Sequence, residues 1–147
     1  MFTFELDVWS RRYAWGSALE NPVLLVLVVE DDHLIKEVVQ EALSEGGFDS
    51  EVVALGEQAV ALLQDKHDVY RALVTDIDLQ GELSGWDVAK RARELRSDIP
   101  VVYMTGAAAD QWPSHGVPGS VLLQKPFAPA QVVTAIAQLL NQTLPPA

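Results

Sequence analysis

The chain has 147 residues, no cysteine, 49% apolar residues and a formal net charge of −11. That length suits one domain with a sizeable core, and a surface so acidic, with no Lys/Arg stripe to offset it, excludes nucleic acid as a partner of this chain alone. Without cysteine there is no disulfide framework, and the longest fully apolar run, Val23 to Val29, falls far short of the ~20 residues a membrane span needs.

Residues 1–21 stand apart. Phe2, Phe4, Trp9, Tyr13 and Trp15 crowd a stretch with no helical or strand period, and Asn21-Pro22 closes it. A poorly ordered arm is expected there; the sharper reading is an aromatic arm that docks on the domain or on a partner. Arg11-Arg12 imitates a twin-arginine signal. However, Glu20-Asn21-Pro22 precedes the apolar run, three acids follow it, and no small-residue cleavage site fits, so a cytoplasmic location is expected.

From Val23 onward strand and helix signals alternate over one domain, expected at 22–142. Val23 to Val29 is apolar without alternation, as in a strand covered on both faces. Asp31 or Asp32 can cap the helix that follows, in which Leu34, Ile35, Val38, Val39, Ala42 and Leu43 recur at helical spacing until Gly46-Gly47. Phe48 to Val53 reads as a second strand, Glu57 to Lys66 as a second helix burying Val60 and Leu63, and Arg71 to Thr75 as a third strand. Gln80 to Gly85 is a loop. The helix Trp86 to Arg96 turns Ala89, Ala92 and Leu95 inward and spreads Lys90, Arg91, Arg93 and Arg96 over its solvated surface. Pro100 opens a fourth strand. Ala107 to His115 holds a short helix limited by Pro113 and Gly116, and Ser120 to Gln124 is the fifth strand. Pro129 starts the last helix, with Val132, Val133, Ile136, Leu139 and Leu140 as its buried stripe, and 143–147 is a short tail. Such alternation predicts an α/β domain with a parallel sheet and right-handed crossovers.

The polar residues that close the apolar runs are Glu30-Asp31-Asp32, Asp76, Thr105 and Lys125-Pro126. Ligands of open parallel sheets bind outside the carboxyl ends of the strands, so these residues are expected in one crevice. Like charges 4 Å apart repel by about 1 kcal/mol in water and about 4 kcal/mol at an effective dielectric of 20, so such carboxylates raise each other's pKa or need a cation. An all-oxygen set suits Mg²⁺ or Mn²⁺. His33, His67 and His115 are scattered and read as surface residues, and Trp86 and Trp112 as packing residues. Asp76, projecting from a strand end, is the best nucleophile, able to attack phosphorus and form an aspartyl phosphate. Lys125 offers a point charge for a phosphoryl oxygen, Thr105 a hydroxyl donor, and Gly106 a close backbone approach.

The motifs Val28-Val29-Glu30-Asp31-Asp32, Val74-Thr75-Asp76-Ile77-Asp78, Met104-Thr105-Gly106 and Gln124-Lys125-Pro126-Phe127 together resemble the receiver domain of two-component response regulators, over about residues 22–142. The resemblance implies a flavodoxin-like doubly wound five-stranded sheet in the order 2-1-3-4-5, with helices on both faces. It implies that Asp31 binds the metal directly, Glu30 through water and Asp78 through its backbone carbonyl, with Asp32 as a less essential neighbour. Asp76 would be the phospho-acceptor, Thr105 the switch hydroxyl and Lys125 the conserved lysine. The phosphoryl donor would be a histidine kinase or a histidine phosphotransfer protein, and the output would go through the surface of an unidentified protein target. The chain would not be an enzyme beyond slow self-phosphorylation and self-dephosphorylation.

Three features depart from the family's pattern. Leu122 stands where an aromatic switch residue is common, the loop after Asp76 lacks the usual proline and is slightly long, and Pro100 to Gly106 resembles a subgroup without the aromatic switch. Two other readings share parts of the pattern. Asp76-Ile77-Asp78 also fits the first motif of haloacid-dehalogenase-type phosphatases, although too few residues follow for the later motifs. A receiver-like binding module that works without phosphorylation would keep the fold and lose the metal.

Overall fold

The computed structural model describes residues 24–143, leaving aside the side chain of Thr143. The expectations for the aromatic arm and for the last four residues lie outside the described part. Five strands, β1 (Leu25–Val29), β2 (Asp49–Val53), β3 (Tyr70–Asp76), β4 (Val101–Thr105) and β5 (Val121–Gln124), form one sheet in the order β2-β1-β3-β4-β5. Every pairing is parallel. The helices are α1 (His33–Glu45), α2 (Gly56–Lys66), α3 (Gly85–Leu95), the single turn α4 (Trp112–His115) and α5 (Pro129–Thr143). This is the expected doubly wound fold, with strand boundaries shifted by a residue or two and the last helix running into the predicted tail.

The unalternating strands follow from burial on both faces. Leu27, Val29, Leu73, Val101 and Tyr103 pack under α2 and α3 with Ala59, Leu63, Trp86, Val88 and Ala89. Val26, Val28, Ala72, Val74, Val102 and Met104 pack on the other face against Val39 and Leu43 of α1 and Val132, Ile136 and Leu139 of α5. Full burial of one such leucine is worth about 1.5–3 kcal/mol relative to exposure.

Three expectations need correction. Leu34 and Val38 recur at helical spacing with the buried residues of α1, yet they are 72% and 40% exposed; the stripe is wider than the face that α5 and the sheet cover. Two of the four cations expected on the solvated surface of the third helix, Arg93 within α3 and Arg96 at its C-terminal cap, are half-buried staples. Arg93 donates to the carbonyls of Ile99 (2.8 Å) and Pro118 (2.6 Å), and Arg96 donates to those of His67 and Tyr70. The predicted helix at 107–115 is a 3₁₀ turn (Ala109–Gln111) running into the single turn of α4.

The histidines also find neighbours. His33 pairs with Glu37 at 2.9 Å, half-buried His67 meets the Leu63 carbonyl at 3.2 Å, and His115 lies 5.8 Å from the Trp86 ring. Trp86 and Trp112 are packing residues as expected. The Trp86 ring sits 4.7 Å from that of Tyr103, and the Trp112 indole donates to Ser120 Oγ at 3.0 Å.

Register places the site. Val29 lies opposite Val53 and Thr75, Asp76 opposite Met104, and Thr105 opposite Gln124. The residues that end β1, β3, β4 and β5 therefore meet at one edge of the sheet.

Candidate functional site

Each polar group at that edge is held by the backbone that ends its strand. Glu30 leaves β1 with its N–H bonded to the Val53 carbonyl (3.0 Å), and its side chain is fully buried. One carboxylate oxygen accepts the Asp32 N–H (3.0 Å) and the other accepts Lys125 Nζ (3.2 Å). Lys125 reaches the edge because its N–H bonds the Thr105 carbonyl (2.7 Å); a cis Lys125-Pro126 bond follows it. Its ammonium also lies 3.4 Å from Asp76 Oδ2, so one cation spans two buried carboxylates.

Asp76, the last residue of β3, is 5% exposed. The next residue's N–H bonds the Met104 carbonyl at 3.1 Å, and the Gly85 N–H returns to the Ile77 carbonyl at 2.9 Å. Gly85 lies so close that a Cβ there would come within 2.1 Å of the Asp76 carbonyl oxygen. Thr105 is fully buried, and its hydroxyl oxygen accepts the N–H groups of Ala107 (3.2 Å) and Ala108 (2.8 Å).

Among the described residues, carboxylate oxygens of Glu30, Asp31 and Asp76 lie within 4.8 Å of one another. The side chains of Asp32 and Asp78 are not in that group. Asp32 caps α1, accepting from the N–H groups of Leu34 (2.9 Å) and Ile35 (3.1 Å), and Asp78 is exposed on the loop after β3. Gly106 faces open space, where a Cβ would meet nothing within 4 Å, so no protein contact demands a glycine there. Leu122 is half-buried against the α2/α3 face of the core.

The electrostatics fit a hard divalent cation. Burial pushes the Glu30 carboxyl up to about 7, with the Asp32 N–H opposing it, Asp76 adding to it and Lys125 opposing it. Burial also raises Asp76, against the pull of Lys125. For Lys125, burial works against the charge, but Asp76 and Glu30 outweigh it and leave the ammonium above its ordinary value. One lysine thus leaves the acids short of compensation, and an all-oxygen set of this kind suits Mg²⁺ or Mn²⁺.

A pH dependence follows. A carboxyl whose folded pKa exceeds its unfolded value contributes stability that is complete below the unfolded pKa and lost as pH rises through the folded one. The metal-free protein should therefore lose stability between about pH 4.5 and pH 7 on account of Glu30. Because a cation displaces that proton, the Mg²⁺ dissociation constant should tighten by up to about tenfold per pH unit up to pH 7 and then level off. Calorimetric Mg²⁺ titrations at pH 5.5, 6.5 and 7.5 check this; a flat profile contradicts it.

The sequence named every group of the cluster. It missed Gly85, whose lack of a side chain lets α3 close on the Asp76 backbone. The signal available was a glycine directly after Ser84, which caps α3 (Asp87 N–H to Ser84 Oγ, 3.2 Å).

Comparison with known proteins matches the response regulator receiver domain over residues 26–137. Among curated proteins, the response regulator SaeR of Staphylococcus aureus is 26% identical over 119 residues, covering 80% of this chain and 50% of its own length. The chain thus spans about half the length of the curated relatives it matches. Among solved structures, a response regulator receiver protein from Sinorhizobium medicae shares 37% identity at a TM-score of 0.79, over 82% of this chain and 96% of that one. The receiver domain of a sensor histidine kinase from Pseudomonas aeruginosa, solved with a magnesium ion coordinated in its active site cleft, has a TM-score of 0.70 at 23% identity, over 81% and 98%.

Proposed function

The chain belongs to the response regulator receiver domain family, and on that footing we propose that Asp76 accepts a phosphoryl group from a phosphohistidine donor, with Mg²⁺, and thereby switches a partner-binding surface. The observation that carries this reading is the Lys125 ammonium held at 3.2 Å from Glu30 and 3.4 Å from Asp76 beside the Glu30–Asp31–Asp76 cluster. Bound Mg²⁺ supplies neutralisation of the phosphoryl oxygens. Glu30, Asp31, Asp76 and the Asp78 carbonyl are the groups that would hold it. A carboxylate oxygen of Asp76 attacks phosphorus as the P–N bond to the donor's imidazole breaks. Lys125 then pairs with a phosphoryl oxygen, and the Thr105 hydroxyl donates to another. Turning the hydroxyl toward the phosphoryl group reorients its bonds to the N–H groups of Ala107 and Ala108, which biases the segment that follows. Incubation with acetyl phosphate and Mg²⁺ should add one phosphoryl group by intact mass; no gain removes the proposal.

A protein donor has to bring its histidine over Asp76. Beside the site lies an apolar crevice of about 390 Å³, lined by Leu34, Ile35, Val38, Lys125, Pro126 and Phe127. We place the donor there, which gives the exposed Leu34 and Val38 a use. Leu34→Glu should slow phosphoryl transfer from a protein donor about tenfold, the loss of one good contact residue, and leave uptake from acetyl phosphate unchanged. Equal slowing with both donors would place the effect in the site instead.

A further inference from the structure

The backbone carbonyl proposed above as a metal ligand belongs to Asp78, which opens the loop Asp78–Ser84 between β3 and α3. Three features leave that loop in need of support. It contains no proline to fix its backbone. Gly81 adopts a φ of +90°, a conformation that costs glycine little and other residues more. The loop also borders an open depression of about 300 Å³ lined by its own residues from Ile77 to Ser84.

Its base is pinned by the Gly85 N–H on the Ile77 carbonyl (2.9 Å). Its tip rests on the first turn of α2. Gly56 abuts Leu83, where a Cβ would come within 2.9 Å of the leucine Cβ. The Glu57 carboxylate lies over Gly81, where a Cβ would come within 2.6 Å of Oε2, and Oε2 accepts the Glu82 N–H at 3.3 Å. Glu57 projects from the first turn of α2, and the start of that helix is capped by Gln58 Oε1 on the N–H groups of Ala54 (3.2 Å) and Leu55 (3.1 Å).

We propose that Glu57 is a positioning residue for the metal: its carboxylate props the Asp78–Ser84 loop from α2 and so holds the Asp78 carbonyl in place for a divalent cation. This rests on the reading of the Glu30–Asp31–Asp76 cluster as a Mg²⁺ site. Glu57 touches no ligand. It acts through the loop, in the manner of outer-shell groups that orient metal ligands. The same contact suits a glycine at position 81, since a larger residue would displace the carboxylate that meets it.

The test compares the full chain with its Glu57→Ala and Glu57→Gln variants by calorimetric Mg²⁺ titration, with the thermal midpoint of each metal-free protein as a second measurement. Glu57→Ala should weaken Mg²⁺ binding about tenfold, at the low end of outer-shell effects. Its metal-free midpoint should stay within a few degrees of wild type, as for an exposed substitution. Glu57→Gln keeps an oxygen acceptor and should bind Mg²⁺ close to wild type. Unchanged affinity in Glu57→Ala overturns the proposal. Equal weakening in both variants also overturns it, because the effect would then be one of charge and not of the hydrogen bond. A wild-type chain that takes no Mg²⁺ sinks the reading of the site itself, an outcome distinct from either of these.

Discussion

Asp76→Asn should abolish phosphoryl uptake while leaving the fold intact. The amide matches the carboxylate in shape but has no anionic oxygen to attack phosphorus, so intact mass after acetyl phosphate and Mg²⁺ should show a gain in wild type and none in the variant. Stability should suffer little. Burial already disfavours the Asp76 charge, and Lys125 keeps Glu30 at 3.2 Å when its second partner is neutralised. A phosphoryl gain in both proteins would remove Asp76 from its role. Turnover of a simple phosphomonoester would favour a phosphatase of the haloacid dehalogenase type, and a wild-type chain inert to both donor and metal would favour a binding module.

The same phosphorylated sample reads the switch. The acceptor changes from a charge of −1 to about −2, and amide shifts should reach Ala107 to Gly116 and α5. No aromatic at position 122 is available to rotate. The aromatic anchor of that region is Tyr103, whose hydroxyl accepts the Val117 N–H at 3.1 Å and whose ring meets Trp86. Shifts confined to the metal site would contradict this part of the reading.

Gly85→Ala should be the most damaging single-methyl change at the site. The added Cβ would come within 2.1 Å of the Asp76 carbonyl oxygen and 2.8 Å of Ile77 Cα. Both are backbone atoms of the segment that presents the nucleophile, so no side-chain rotation relieves the overlap. Either α3 lifts, breaking the Gly85–Ile77 bond of 2.9 Å, or the end of β3 shifts. Overpacking of this kind costs about 3 kcal/mol, a fall of roughly 10 °C in thermal midpoint for a domain of this size. Mg²⁺ binding should be lost even where the variant stays folded. Gly85 is not among the glycines of positive φ, so the penalty there is one of overlap; Gly47→Ala, at a φ of +90° with no atom within 4 Å of a built Cβ, shows by contrast what backbone strain alone costs. If Gly85→Ala binds Mg²⁺ as wild type does, the close packing of α3 on Asp76 has no part in shaping the site.

The order of chemistry along the chain was legible because parallel strands are apolar without interruption and their carboxyl ends share one edge. Once Val23–Val29, Ala72–Val74, Val101–Met104 and Val121–Leu123 were recognised as strands, the placement of Glu30, Asp76, Thr105 and Lys125 together followed. Spacing also places the helices α1, α3 and α5 and most of their buried residues.

Tertiary structure decided how far each group is covered and what it touches. Periodicity specifies the direction of a side chain, not whether a neighbour extends over it, so Leu34 and Val38 shared the helical stripe with Val39 and Leu43 yet remained exposed. Reach is equally silent in sequence: Arg93 and Arg96 looked like a solvated face until carbonyls of distant segments came within bonding distance. The sequence sets Glu30 and Asp31 side by side after one apolar run, but only the fold buries Glu30 completely and stretches one lysine across it and Asp76, because desolvation and hydrogen bonding depend on contacts made by residues far apart along the chain.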